Sequence, residues 1–218
     1  MIRGAIFDAD GTLLDSMGLW DTVGDRYLRS LGIDPEPGLR QILFPMSLSQ
    51  CAAYLRERYQ LGLSCEEIEG GINRTILAFY QTQVEAKTGA QDFLRALRSR
   101  GVRTYLATAT DRKVITAGFS RTGLLPLLDG LVTCGDLGVD KNAPTIFDYA
   151  RDQMGTATED TWVFEDAVHA ARTARRAGYP VAGVADPYSD QQALQAACTL
   201  YLPNLTDVTG FYAKASVR

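Results

Sequence analysis

Residues 5–12 read Ala5-Ile6-Phe7-Asp8-Ala9-Asp10-Gly11-Thr12. The apolar run predicts a short buried strand, and two aspartates one residue apart follow it directly. Carboxylates that lie so close raise each other's pKa unless a cation or a proton separates them. The stretch therefore predicts a metal-assisted carboxylate site, with one aspartate as nucleophile and the other as acid and base. The alternative is an ordinary strand followed by an Asp-Gly turn.

Strand and helix patterns alternate along the second half of the chain. Helices are predicted at residues 90–99, 111–122, 143–154, 167–176 and 190–197, and strands at residues 102–107, 131–134, 161–164, 180–185 and 200–202. Such alternation is typical of a parallel sheet that is covered by helices on both faces. We predict an α/β fold with a Rossmann-like parallel sheet core, formed by residues 1–15 and 86–218.

Residues 16–85 interrupt this alternation with apolar residues at helical spacing. Stripes lie at residues 20–31, 48–55 and 72–80. Ser64 with Glu67 makes a capping box that opens a further helix before the last stripe, so four helices are predicted. No strand-like alternation occurs in this range. We predict an inserted α-helical bundle, residues 16–85, that follows the first strand.

Composition and charge exclude several classes of function. The 218 residues carry a net charge of -4, which argues against a protein that binds nucleic acid through phosphate contacts. The apolar runs have the length of strands, so neither a membrane span nor a leader is predicted. Four widely spaced cysteines predict reduced thiols and a cytoplasmic location. A single histidine leaves no His/Cys metal site.

Polar residues follow four of the predicted strands. The carboxyl ends of parallel strands line the ligand crevice of an open sheet, so these residues are predicted to converge. They are Asp8 and Asp10; Thr108 and Thr110, on either side of Ala109; Asp136, Asp140 and Lys141; and Glu165 and Asp166. Four such groups in this order indicate a catalytic site more strongly than any one of them alone.

The whole chain resembles the haloacid dehalogenase-like (HAD) superfamily, in the branch around β-phosphoglucomutase, and its helical insert matches the family's cap position. The matching motifs are Asp8-Ala9-Asp10-Gly11-Thr12, Leu106-Ala107-Thr108, Lys141-Asn142-Ala143-Pro144-Thr145-Ile146-Phe147, and Phe164-Glu165-Asp166 with Ala170, Ala171, Ala174 and Gly178 after it. The chain departs from the family pattern at Asn142, Thr145, Ala167 and His169, and none of these departures removes a charged catalytic group. His169 is predicted to be a partly exposed helix residue, with a position facing the crevice as the alternative.

The resemblance implies phosphoryl transfer through an aspartyl phosphate. Asp8 would attack phosphorus, and the carboxyl of Asp10 would protonate the leaving alkoxide and then activate water. Magnesium would be the cofactor, because an all-oxygen site suits a hard cation. Its predicted ligands are Asp8, Asp166 and the backbone carbonyl of Asp10, with Glu165 orienting a metal-bound water.

The resemblance also implies a set of substrate-binding residues. Thr108 would donate its hydroxyl to a phosphoryl oxygen, with Thr110 as the alternative donor, and Lys141 would neutralise developing charge beside Asp8. Ala109 beside Thr108, and Trp20 and Leu48 in the insert, complete this set.

The leading functional prediction is a magnesium-dependent phosphatase whose partner is a small phosphorylated metabolite. The first alternative is a sugar-phosphate mutase of the β-phosphoglucomutase type. Trp20 and Leu48 argue against it, because they occupy positions where those mutases carry a His and an Arg. The second alternative is a metabolite-binding relative without activity, and the complete set of motif residues argues against it. No nucleic-acid or membrane partner is predicted, and no pattern indicates an oligomeric state.

Overall fold

The computed structural model describes residues 1–43 and 46–215. Within the chain, two compact units separate: Met1–Ser16 together with Val84–Arg218, and Met17–Gln83. We call the first the sheet unit and the second the helical unit. Residues 44 and 45 of the predicted insert, and residues 216–218 of the predicted core, lie outside the described residues.

The strands and the α-helices of the described residues are each numbered in chain order. The strands are β1 (Gly4–Phe7), β2 (Leu14–Asp15), β3 (Glu85–Ala86), β4 (Arg103–Thr108), β5 (Gly130–Thr133), β6 (Thr161–Glu165), β7 (Val181–Val184) and β8 (Leu200–Leu202). The helices are α1 (Met17–Ser30), α2 (Leu39–Leu43), α3 (Leu48–Arg58), α4 (Cys65–Thr82), α5 (Ala90–Ser99), α6 (Arg112–Arg121), α7 (Cys134–Leu137), α8 (Thr145–Met154), α9 (Val168–Arg176), α10 (Gln191–Ala197) and α11 (Val208–Ala215).

The sheet unit is built on six parallel strands in the order β5-β4-β1-β6-β7-β8. Phe7 of β1 is in register with Leu106 of β4 and Phe164 of β6. The residues that follow these three strands therefore emerge at one edge, which is where an α/β sheet binds its ligands. The predicted α/β fold with a Rossmann-like parallel sheet is confirmed.

Side chains alternate between the two faces of this sheet, and both faces are buried. On one face, Phe7 stacks on Phe164 with ring centroids 4.3 Å apart, and Phe93 and Phe211 pack around that pair. The neighbours Ile6 and Val163 point to the other face, into a cluster that includes Ile146 and Ala170. Burial on two faces explains why neighbouring residues such as Ile6 and Phe7, which point to opposite faces, are both apolar.

The helical unit contains α1 to α4, and its predicted capping box is confirmed. Ser64 accepts from the backbone N–H of Glu67, whose side chain accepts in turn from the N–H of Ser64. The predicted helix that opens at Ser64 and the predicted stripe at residues 72–80 are one continuous helix, α4, so their separation was wrong. Gly71 weakens the apolar pattern between them for a packing reason: a Cβ there would lie 2.3 Å from the ring of Tyr27.

The structure contains short elements that the sequence patterns did not predict: β2, β3, α2, α7 and α11. The predicted strand at residues 131–134 ends one residue earlier, because Thr133 caps α7 and forms a capping box with Asp136. All four cysteines are free thiols. Among the helices of the described residues, none combines the length and the hydropathy that a membrane span requires.

Candidate active site

A buried lysine joins two carboxylates at the carboxyl edge of the sheet. Lys141, on the loop between α7 and α8, donates from Nζ to Oδ1 of Asp8, and to Oε1 of Glu165 at 2.6 Å. Asp8 directly follows β1, and its N–H donates to the Phe164 carbonyl of the neighbouring strand at 2.9 Å. Glu165 is the last residue of β6 and is fully buried. The ends of two adjacent strands therefore place both carboxylates on one ammonium group.

Asp166 adds a third buried carboxylate. One oxygen each from Asp8, Glu165 and Asp166 lies within 4.8 Å of the others. Both oxygens of Asp166 accept hydrogen bonds from hydroxyl groups: Oδ1 from Thr12 at 3.0 Å and Oδ2 from Ser189 at 3.2 Å. The orientation of this carboxylate is therefore determined on both sides.

The three carboxylates and Lys141 form a site in which negative charge exceeds positive charge. Burial, reinforced by the negative charges of Asp8 and Glu165, raises the pKa of Asp166 to about 8. Burial likewise raises the pKa of Asp8 to about 6, although Lys141 opposes the shift. Burial alone would lower the pKa of Lys141, but the charges of Asp8 and Glu165 outweigh it and raise that pKa. The lysine therefore stays charged, and the carboxylates still exceed it in number.

The donor set fits a hard divalent cation. Three carboxylates and one ammonium carry a net charge of about -2 when all are ionised, and burying uncompensated charge is costly. A divalent cation would balance that charge, and oxygen ligands are those that Mg²⁺ and Ca²⁺ prefer. The carboxylate of Asp10 does not belong to this group among the described residues.

Asp10 is instead held by two hydroxyl groups. Ser16 donates to its Oδ1 at 2.6 Å, and Thr110 donates to its Oδ2 at 2.6 Å. Gly11 has a φ of 83°, and Leu13 and Leu14 both donate their N–H groups to the Ala9 carbonyl. This tight turn after β1 places Asp8 and Asp10 close together with their carboxylates in different surroundings.

Thr108 and Thr110 have different partners at the end of β4. The Thr108 side chain is buried, and its Oγ1 accepts from the N–H of Thr110 at 3.1 Å. This bond uses a lone pair of the Thr108 hydroxyl and leaves its hydrogen for an acceptor, whereas the Thr110 hydroxyl is already donated to Asp10. Ala109 between them is exposed and contributes only a methyl side chain.

Several residues from the sequence analysis lie elsewhere. Asp136 was predicted to join the converging carboxylates, but it is paired with Arg112, with a shortest distance of 2.7 Å. Asp140 was also predicted there, but it is exposed and accepts from Asn142. His169 is exposed on α9, as predicted.

Trp20 and Leu48 both belong to the helical unit. They line a cavity of about 310 Å³ within that unit, with exposed fractions of 39% and 37%. Asp21 and Arg40 also line the cavity and form an ion pair at 2.7 Å.

Three residues that contact the acidic side chains were absent from the predicted site. Thr12 and Ser16 lie close to Asp10 in the chain, so the motif itself could have indicated them. Ser189 lies 23 residues beyond Asp166, in a loop without any motif, and only the fold reveals its contact.

The fold and the site are those of a parallel α/β protein with a Rossmann-like core that holds buried carboxylates and a lysine at the carboxyl edge of its sheet. The chain matches the family described as haloacid dehalogenase-like hydrolase over residues 2–178. It therefore belongs to that family, and the predicted resemblance is confirmed.

Similar proteins include phosphatases and structures of the same fold. A protein of Drosophila melanogaster named as a probable pseudouridine-5'-phosphatase is 28% identical over 214 residues, which is 94% of this chain and 91% of the relative. A solved structure from Thermotoga maritima, attributed to a beta-phosphoglucomutase, has a TM-score of 0.87 at 21% identity and covers 98% of this chain and 99% of its own. The structure of CbbY from Rhodobacter sphaeroides in complex with phosphate has a TM-score of 0.75 at 19% identity. The match covers 95% of this chain and 96% of the CbbY chain. The prediction of an enzyme of the phosphatase class is confirmed.

Proposed function

We propose that this protein is a magnesium-dependent phosphatase that cleaves a small-molecule phosphate monoester through an aspartyl phosphate on Asp8. The observation that carries the proposal is the buried contact of Asp8 with Lys141, beside Glu165 and Asp166. A pKa of about 6 leaves Asp8 ionised at neutral pH, as a nucleophile must be. Phosphate monoesters repel anions, so the attack also needs a neighbouring cation such as the Lys141 ammonium.

The proposed first half-reaction transfers the phosphoryl group to Asp8. A carboxylate oxygen of Asp8 forms a bond to phosphorus while the bond from phosphorus to the leaving oxygen breaks. Asp10, when protonated, gives its proton to the leaving alkoxide, so the products are an alcohol and the aspartyl phosphate. Lys141 stays protonated because two carboxylates contact it, and it offsets the charge that develops on the phosphoryl group.

The second half-reaction returns the enzyme to its starting state. Asp10, now a carboxylate, accepts a proton from water as the water oxygen attacks phosphorus. The bond between phosphorus and Asp8 breaks, and inorganic phosphate leaves. Thr108 is the proposed phosphate donor, because its hydroxyl keeps a hydrogen to give.

Magnesium is the proposed cofactor. Asp8 and Asp166 would hold it together with the carbonyl of Asp10, and Glu165 would orient a water on it. When bound, it would supply Lewis-acid neutralisation of the phosphoryl oxygens. Oxygen ligands, three buried carboxylates and a raised pKa at Asp166 support this assignment.

The proposed substrate is a small phosphorylated metabolite, and the insert of residues 16–85 is proposed to be a cap that contributes to substrate choice through Trp20 and Leu48. The phosphatase-named relative supports the substrate class. The mutase alternative shares the fold, but it needs cationic groups that Trp20 and Leu48 do not supply.

Asp8→Asn tests the proposal directly. The amide has the size of the carboxylate but cannot attack phosphorus, so turnover of a generic aryl phosphate should fall below about 1% of wild type. Asp92→Asn makes the same change at an exposed position, where the side chain is 85% accessible, and should retain full activity. Thermal unfolding of both variants should check that each is folded. More than a few per cent residual activity in Asp8→Asn contradicts the proposed nucleophile.

A further inference from the structure

Ser189 lies in a loop that the proposed mechanism does not use. This loop follows β7 and leads into α10, and it places the Ser189 hydroxyl 3.2 Å from Oδ2 of Asp166. Thr12 holds the other oxygen of the same carboxylate. The two donors come from segments on either side of Asp166, so together they determine the plane of that carboxylate.

The loop that carries Ser189 is organised around the fully buried Asp186. Oδ1 of Asp186 accepts from the N–H of Tyr188 at 2.9 Å, and its carbonyl accepts from the N–H of Ser189 at 3.0 Å. The side-chain amide of Gln191 donates to the same carbonyl. These bonds form a compact turn, and its geometry directs the Ser189 hydroxyl toward Asp166.

A lysine from a distant part of the chain holds this turn in place. Lys87 approaches Oδ2 of Asp186 at 2.7 Å and donates from the same Nζ to the Ala185 carbonyl at 2.7 Å. Its side chain is 15% exposed and that of Asp186 is 1% exposed, so solvent screens this pair little. The Lys87 N–H donates to the Leu13 carbonyl at 2.9 Å, which links the pair to the turn after β1.

We infer that Ser189 is a positioning residue for Asp166, and that the Lys87–Asp186 ion pair holds the Ser189 loop for this purpose. The inference rests on the proposed function, in which Asp166 binds a divalent cation. Hydrogen-bond donors that orient a ligating carboxylate contribute to cation affinity, and their removal typically costs 10- to 100-fold. Ser189 bonds to Asp166, and Lys87 bonds to Asp186 and Ala185, so the effect should fall on cation binding rather than on the chemical step.

The test measures Mg²⁺ binding by titration calorimetry, alongside kcat for an aryl phosphate as a function of Mg²⁺ concentration. In Ser189→Ala the Mg²⁺ dissociation constant should rise about 10-fold, while kcat at saturating Mg²⁺ stays within about 2-fold of wild type. Ser189→Thr keeps the hydroxyl and should restore the affinity. Ser99→Ala removes a hydroxyl from an exposed residue of α5, where it donates to the Ala96 carbonyl of the same helix, and should change neither quantity.

A second variant tests the ion pair without touching Ser189. Lys87→Gln should also raise the Mg²⁺ dissociation constant several-fold, and Lys87→Arg should raise it less. An unchanged dissociation constant in Ser189→Ala, with normal Mg²⁺ binding by wild type, overturns this inference alone. Wild-type protein that binds no Mg²⁺ overturns the inference together with the proposed cofactor. A fall in kcat at saturating Mg²⁺ without any loss of affinity also contradicts it, because the effect would then lie in the chemical step.

Discussion

The hydroxyl of Thr110 donates to Oδ2 of Asp10 at 2.6 Å, although 100 positions separate the two residues in the chain. Ser16 donates to the other oxygen of Asp10 at the same distance. An acid and base catalyst must be held within reach of the atoms between which it moves a proton. Two hydroxyl groups from different segments meet that need for Asp10, and they distinguish it from Asp8, which contacts an ammonium.

Isosteric substitutions at Thr108 and Thr110 should affect different kinetic constants. Thr108→Val removes the proposed phosphate donor, so KM for the phosphorylated substrate should rise about 10-fold. Thr110→Val releases one oxygen of Asp10, so kcat should fall about 10-fold with KM nearly unchanged. Thr108→Ser keeps the hydroxyl and serves as the control. Steady-state kinetics and inhibition by inorganic phosphate measure both effects, and the reverse pattern would assign the phosphate donor to Thr110.

Removal of divalent cations should abolish activity, and Mg²⁺ should restore it. Binding to the folded state alone should also stabilise the protein, by about 2.7 kcal/mol at a Mg²⁺ concentration 100-fold above Kd. For a chain of this length, that corresponds to a rise in Tm of about 5–10 °C. Scanning calorimetry with chelator and with Mg²⁺ measures the shift, which Asp166→Asn should lack. Full activity in excess chelator would rule out the proposed cofactor.

The product should be free phosphate rather than an isomerised sugar phosphate. A mutase must hold a bisphosphate with cationic groups, whereas Trp20 and Leu48 carry no charge. Phosphate release should therefore need no bisphosphate activator, and it should be at least about 10-fold faster than isomerisation of the same hexose phosphate. A coupled assay for the isomer and a colorimetric assay for phosphate compare the two rates. Isomerisation that outpaces phosphate release supports the mutase alternative.

Asp136 should make stability depend on pH in acid. Hydrogen bonds from Arg112, and then from Thr133, hold the pKa of this carboxyl below its ordinary value of 3.8. The pKa of Asp136 is lower in the folded state than in the unfolded state. The stabilisation that its carboxylate gives the fold is therefore fully present above about pH 5 and is lost as the pH falls toward the folded pKa. Asp136→Asn should lower the free energy of unfolding by about 1 kcal/mol at pH 7. The difference in unfolding free energy between the variant and the wild type should become smaller below pH 4.

Urea unfolding at pH 7 and at pH 3 measures this difference. Asp92→Asn is the matched control, because Asp92 and Arg95 form an exposed pair on α5 whose loss should cost less than about 0.5 kcal/mol. If the difference in unfolding free energy between Asp136→Asn and wild type does not change with pH, the Asp136 carboxyl has the same pKa in the folded and unfolded states, which contradicts this prediction.

The fold class and most residues of the candidate site could be predicted from the sequence. The spacing of apolar residues in a helix or a strand depends only on residues that are near one another in the chain. The alternation of helix and strand patterns after residue 90 was therefore sufficient to predict the sheet. Parallel strands bring their carboxyl ends to one edge, so Asp8, Lys141, Glu165 and Asp166 could be predicted to converge although the chain separates them widely. The same rule failed for Asp136, because Thr133 caps a short helix that turns this carboxylate toward Arg112.

Only the tertiary structure decided how the groups of the site are held. The bridge from Lys141 to two carboxylates, the hydroxyl of Thr110 on Asp10, and the hydroxyl of Ser189 on Asp166 join segments that have no local relationship. Local pattern predicts that a residue lies near a strand end, because that depends on backbone conformation over a few residues. It does not predict which donor meets which oxygen, because a hydrogen bond depends on side-chain positions to within a few tenths of an ångström, and packing of the whole unit determines those positions.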